Sequence, residues 1–185
     1  MTAPPEFSAL ETARLRLRRF TEADMPAFLA YRNDPEVARY QSWERVTRRE
    51  ARRYITGQID RQPGEPGTWF QFAIALKATD ALIGDCALHA RDDDPRLGEI
   101  GYTLARAAQG HGYASEAVRA LLAYAFETLA LHRVSAIVDC RNAPSVRLLE
   151  RAGMRREGHL LQCAWYKGEW CDEYLYAMLR SEWSG

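Results

Sequence analysis

The feature that most constrains this chain is a change of rhythm at Gln109-Gly110-His111-Gly112-Tyr113-Ala114. Upstream, Trp69 to Leu76, Leu82 to His89 and Leu97 to Leu104 are short apolar runs with strand character. Turn-forming Lys77-Ala78-Thr79-Asp80 and Asp92-Asp93-Asp94-Pro95 join them, which predicts a meander of antiparallel hairpins. Downstream, Ala114 to Leu129 is spaced as a helix. Two glycines at a strand-to-helix junction let the backbone approach a ligand closely, and the helix start offers unpaired N–H groups and a positive dipole end. The loop is neither a Walker motif, which needs GK[ST], nor a dinucleotide fingerprint, which needs a third glycine. On these residues alone, an anion-holding loop and a tight turn without a ligand are equally served.

The remaining pattern surrounds that junction with one mixed α/β layer structure. Leu15 and Leu17 alternate with arginines as a strand. Helices are expected at about Glu22 to Arg32, stopped by Asn33-Asp34-Pro35, and at Thr47 to Asp60. After the long helix come a strand at Arg133 to Val138, a helix at Pro144 to Arg151, and strands at Met154 to Leu161 and Tyr174 to Leu179. With 185 residues, 47% of them hydrophobic, the chain is expected to form a single domain over 1–185, with 1–12 a flexible lead.

Twenty-five basic and 25 acidic residues give zero net charge, which removes the broad electrostatic case for nucleic-acid or membrane partners. The arginines of Arg48 to Arg53 accordingly read as a solvated helix face. The start, MTAPPEFSALE, has neither a basic nor an apolar leader region, and the apolar run AVRALLAYAF is too short to span a bilayer. A cytoplasmic location is expected. Cys86, Cys140, Cys163 and Cys171 form no CxxC pair and point to reduced, mostly buried thiols. The Asp92-Asp93-Asp94 triplet reads as a hairpin loop, so no metal is assigned.

The chain resembles the GNAT superfamily of N-acetyltransferases. Gln109, Gly112 and Ala114 match its Q/R-x-x-G-x-G/A signature, and Ser115-Glu116-Ala117 fits the continuation. Further similarity lies in Gly98-Glu99-Ile100-Gly101-Tyr102-Thr103-Leu104, in Asn142-Ala143-Pro144-Ser145 through Gly153-Met154, and in Asp172-Glu173-Tyr174-Leu175-Tyr176 before Glu182-Trp183. The likeness runs from about Leu15 to Trp183 and is strongest toward the branch holding the ribosomal-protein N-terminal acetyltransferases. It implies a mostly antiparallel sheet of about seven strands with one splayed parallel pair, flanked by about four helices. It also implies acetyl-CoA as co-substrate. Its pyrophosphate would be held by the backbone N–H groups of Gly110, His111, Gly112, Tyr113 and Ala114. Its pantetheine arm would lie in the splay, and its thioester carbonyl would face a backbone N–H near Tyr102 or Leu104.

On that resemblance, Asn142 bonds a pantetheine amide and the Ser145 hydroxyl reaches the sulfur, although both also suit helix capping. Glu99 shares a strand face with Gly101 and Thr103 and is the first choice for general base. Asp85, His89 and Tyr166 are the alternatives, and an ion pair is the bland role for Glu99. His111 and His132 read as loop residues. The acceptor, a protein N-terminus or a small-molecule amine, is expected between the first two helices and the final hairpin. There Trp165, Tyr166 and Trp170 surround Lys167-Gly168-Glu169 and suit a cationic amine or a homodimer contact. The competing reading is a non-catalytic acyl-CoA-binding or regulatory domain of the same fold.

Overall fold

The computed structural model describes residues 7–185. Its strands are β1 (Ala9–Glu11), β2 (Leu15–Arg18), β3 (Trp69–Leu76), β4 (Leu82–Ala90), β5 (Leu97–Leu104), β6 (Arg133–Asp139), β7 (Arg155–Tyr166) and β8 (Glu169–Leu179). They form one sheet in the order β1-β2-β3-β4-β5-β6-β8-β7. The helices are α1 (Met25–Arg32), α2 (Pro35–Ala38), α3 (Arg48–Thr56), α4 (Tyr113–Ala123) and α5 (Ala143–Arg151). All neighbouring strands run antiparallel except β5 and β6.

The strand alternation sorts side chains onto two faces. Phe70, Phe72 and Ile74 of β3, Cys86 and Leu88 of β4, and Ile100 and Leu104 of β5 join Leu121, Leu122 and Leu148 in the main core under α4 and α5. On the other face Phe28, Tyr31, Ala51 and Ile55 of α1 and α3 pack with Phe20 and Ala73. Among the described residues no helix is long and apolar enough to cross a membrane.

Two elements were not foreseen. β1 lies in the segment expected to be a flexible lead, where Ala9 to Glu11 pair with Arg18 to Arg16; residues 1–6 of that expectation lie outside the described residues. α2 forms where Asn33-Asp34-Pro35 was read only as a stop. Asp34 accepts from the Glu36 N–H at 2.9 Å as N-cap, with proline in the first turn, so the residues that end α1 also start the next helix. The final hairpin is longer than its apolar pattern, because β7 is an edge strand whose residues are mostly exposed.

Candidate active site

The parallel pairing of β5 and β6 stops almost as soon as it begins. Only Leu97↔Arg133, Gly98↔Val134 and Glu99↔Ser135 are in register, while β5 continues to Leu104 and β6 to Asp139. At the two ends of β5, Arg91 N–H bonds Leu97 O and Ala105 N–H bonds Ile83 O, at 3.0 and 2.8 Å. Odd-numbered backbone groups therefore face β4, and those of Tyr102 and Leu104 face the opening left by β6. A cleft of about 1060 Å³ occupies this opening, lined by Glu99 to Leu104, Gln109, Gly110 and Gly112 to Ser115 of the loop, the β6 residues Ala136 to Asp139 and the start of α5.

At one end of the cleft, Gly110 and Gly112 both take φ of +80°, a left-handed conformation that favours glycine. Gly112 is the N-cap of α4. The first bond of that helix is Glu116 N–H to Gly112 O at 3.1 Å, so the N–H groups of Tyr113, Ala114 and Ser115 have no partner within the helix. Side chains brace this loop. Gln109 Nε2 donates to Leu104 O at 3.2 Å, His111 Nδ1 lies 2.8 Å from Gln109 O, and Arg14 donates to His111 O at 3.0 Å. Arg14 also covers the Tyr113 ring at 4.6 Å and pairs with Glu116 at 2.7 Å. The role of Arg14 is not visible in the sequence, since it belongs to an alternating strand start like its neighbours.

Such a set of unpaired N–H groups at a helix start suits a pyrophosphate, and the open backbone of β5 suits an extended amide-bearing arm. Both features are supplied by this chain's own backbone. A Cβ built on Gly101 or Gly110 would meet no atom within 4 Å, as room for a ligand requires.

The sequence-derived catalytic candidates separate on this geometry. Asn142 caps α5, accepting from the Ser145 N–H at 3.3 Å. The Ser145 hydroxyl instead shares a hydrogen bond of 2.6 Å with the Tyr102 hydroxyl. The Tyr102 side chain is thus tied to a specific partner, although pairing along β5 alone would leave its identity free. Burial pushes the Tyr102 hydroxyl up to about 12 despite that hydrogen bond, so it stays protonated. Glu99, opposite His89 in the β4–β5 register, lines the cleft. Burial raises its carboxyl above the usual range; His89 opposes the rise and Glu173 adds to it.

The other base candidates are differently placed. Asp85 is buried and accepts from Arg32 at 2.9 and 3.0 Å and from the Tyr31 hydroxyl, so its carboxylate is committed to the α1–β4 contact. His89 stacks on Trp69 with centroids 4.9 Å apart. Tyr166 lines the cleft with Glu173, a residue to which sequence reasoning gave no role although it alternates with core-facing Tyr174 and Tyr176.

The cleft is also walled by Glu36, Val37 and Arg39 to Ser42, that is, by α2 and the turn after it. α1 and α3, the two helices expected to frame the acceptor, add no residue to this lining and pack in the second core. The hairpin tip does meet this wall, where Lys167 Nζ donates to Ala38 O at 2.5 Å and Arg39 O at 3.3 Å. Trp165 and Trp170 meet edge to face, 5.2 Å apart, and are exposed.

The Asp93 and Asp94 carboxylates pair with Arg91 and Arg96, and no group of three His, Cys, Asp or Glu gathers as a metal-ligand set among the described residues. All four cysteines are free, Cys86 and Cys171 buried, Cys140 half-buried and Cys163 exposed.

Residues 14–155 match the family model of the GNAT acetyltransferase domain, a span that contains the splayed strands, the glycine loop and α5. The chain belongs to the GNAT acetyltransferase family. The uncharacterized N-acetyltransferase p20 of Bacillus licheniformis is 36% identical over 176 residues, covering 95% of this chain and 98% of that protein. The crystal structure of a GNAT-family acetyltransferase from Bacillus anthracis superposes with a TM-score of 0.85 at 31% identity, covering 94% of this chain and 99% of the other. The [ribosomal protein uS5]-alanine N-acetyltransferase of Escherichia coli is 32% identical over 85 residues, 46% of this chain and 44% of that protein. This GNAT protein is an N-acetyltransferase, and its fold is the mixed α/β sheet of the family.

Proposed function

We propose that the protein transfers the acetyl group of acetyl-CoA to a primary amine by direct attack within a ternary complex, in the cytoplasm. The observation that carries this reading is the splay of β5 from β6. It opens a cleft with Glu99 and Ser145 on its lining and unpaired N–H groups along one side.

The N–H groups of Tyr113, Ala114 and Ser115 with the Gly110–Gly112 backbone take the pyrophosphate. The N–H groups of Tyr102 and Leu104 take the arm and the thioester carbonyl oxygen, where negative charge grows during attack. Glu99 accepts the proton that an ammonium must lose before its nitrogen has a lone pair, and its raised pKa brings it closer to the range useful for a base. Attack forms the C–N bond and a tetrahedral intermediate; as the C–S bond then breaks, the departing sulfur takes the Ser145 proton, and the Ser145 oxygen regains one, through water, from the amine nitrogen as it becomes an amide. Tyr102, held neutral, shares a hydrogen bond with the Ser145 hydroxyl; with Tyr102 as its donor, the serine proton is left free to point at the sulfur.

The deciding experiment follows thiol release from acetyl-CoA with a panel of N-terminal peptides, free amino acids, polyamines and aminoglycosides, with mass spectrometry of the product. Acetyl-CoA binding without thiol release toward any amine would sink the catalytic reading.

A further inference from the structure

α3 breaks two local rules of helix electrostatics. Arg48 and Arg49 occupy its first turn, where the dipole disfavours cations. Arg48 with Arg52, and Arg49 with Arg53, are like-charged pairs four residues apart. Ala51 and Ile55 turn the other side of the helix into the core, so the four arginines share the exposed side.

Within α3 only Glu50 opposes them, acting on Arg49 and Arg53. Glu50, the single acid of the helix, is committed to the N-cap, accepting from Thr47 N and Oγ1 at 2.8 and 2.7 Å. Arg16, Arg18, Arg32, Arg91, Arg133 and Arg155 each hold a carboxylate, whereas several scattered arginines such as Arg45, Arg106, Arg147 and Arg180 hold none among the described residues; what sets α3 apart is four such cations on one helix. Arg48, Arg49, Arg52 and Arg53 pair with none among the described residues, and the first three border a shared surface depression. A local conflict of this kind is expected where a surface is put to use.

The position of α3 restricts that partner. Its core side packs against the sheet face opposite α4, so its arginines do not serve the pyrophosphate loop. Its N-terminus is instead fastened beside the α2 wall, where Asn33 Nδ2 donates to Val46 O at 3.0 Å and Val46 N–H to Asn33 Oδ1 at 2.9 Å. Arg48 follows Val46 by two residues, about 8 Å of chain at most. Glu36, on the cleft wall, follows Asn33 by three. Arg39 on that wall lies 4.0 Å from Glu36, and Glu99 and Glu173 line the cleft within.

The geometry points to an acceptor that is a polypeptide with a free N-terminal amine followed by an acidic stretch. The amine enters the cleft toward Glu99, and the downstream carboxylates lie along the arginines of α3. The stripe is nine residues of helix, about 14 Å, and is bordered by Glu44 and Asp60. That length suits a few carboxylates better than a continuous phosphate backbone, which rewards a longer positive track.

This inference rests on the acetyltransferase reading, so the test separates the two. Thiol release and peptide mass are measured with two synthetic peptides sharing one N-terminal sequence, one with a downstream run of glutamates and the other with glutamines. The enzymes are wild type and the combined Arg48→Gln, Arg49→Gln, Arg52→Gln, Arg53→Gln variant. Wild type should prefer the acidic peptide by about tenfold in kcat/KM, mainly through KM, with the preference falling as salt rises. The variant should lose the preference and keep the glutamine-peptide rate, the acetyl-CoA KM and its melting temperature. Equal rates for the two peptides in wild type, or a preference that survives in the variant, overturns the inference while leaving acetyl transfer intact. If neither peptide is acetylated, the acetyl transfer reading loses support, and binding of the fluorescently labelled acidic peptide to both proteins decides the arginine surface by itself. A single-stranded RNA oligomer binding wild type in preference to that peptide would also overturn it.

Discussion

At the residue scale, Glu99 carries the sharpest expectation. A base must be ionised, and this carboxyl is raised by burial, so the rate should climb with pH through a value above the ordinary glutamate range. Glu99→Gln should lower kcat by about two orders of magnitude and abolish that acidic limb, with acetyl-CoA affinity unchanged. Normal turnover with an unaltered pH profile would make Glu99 structural and turn attention to Tyr166. Gly101 offers a complementary test, because its would-be Cβ meets nothing and its strand position welcomes a branched side chain. Gly101→Val should fold with unchanged stability and lose activity by filling the cleft; a valine enzyme with full activity would show that ligand does not pass there. Tyr102→Phe and Ser145→Ala should each slow turnover, and the double variant should be no slower than Ser145→Ala if the pair acts as one unit. The strand period puts Glu99 on one face with Gly101 and Thr103, while Ser145 was singled out through the family resemblance. The Tyr102–Ser145 bond could not be foreseen, because it joins residues 43 apart whose meeting depends on the packing of α5.

At the element scale, the glycine loop is held by a partner far away in the chain. Glu116 in the first turn of α4 accepts from Thr12 Oγ1, Arg14 N–H and Arg14 Nε at 2.6, 2.8 and 2.7 Å. Burial works against its charge, yet these hydrogen bonds outweigh it and hold the carboxyl below the usual range. A depressed carboxyl stabilises the fold at neutral pH and loses that contribution as pH falls through the usual range and then its own value. Glu116→Ala should therefore cost about 1–2 kcal/mol at pH 7 and much less in acid, and raise the acetyl-CoA KM by loosening the loop. Denaturation at the two pH values with acetyl-CoA titration checks both; equal losses at both would leave the charge without a role. The strand-loop-helix unit was legible because glycine spacing and helical period are local. α2 was not, because four residues give no period and its cap reads equally as the end of α1.

At the scale of the whole molecule, the order of strands followed from local hairpins only across β3, β4 and β5. The crossing to β6 and the insertion of β8 between β6 and β7 came from the family resemblance and the structure rather than from any short-range signal. The pair of Asp85 with Arg32 is likewise non-local, joining β4 to α1 with both side chains buried. Removing one partner strands the other: Asp85→Ala should cost about 3–5 kcal/mol in urea unfolding, and a loss below about 1 kcal/mol would show that Arg32 reaches water. The splay has a mechanical consequence. With three paired positions joining β5 to β6, the sheet resembles tweezers fastened at one end, and its two arms lack the rungs that would otherwise couple them. A molecule lying between the arms completes the ladder, so amide protons of Tyr102 and Leu104 should exchange rapidly in the free protein and slowly with acetyl-CoA bound. The substrate then acts as the missing strand of the enzyme that consumes it.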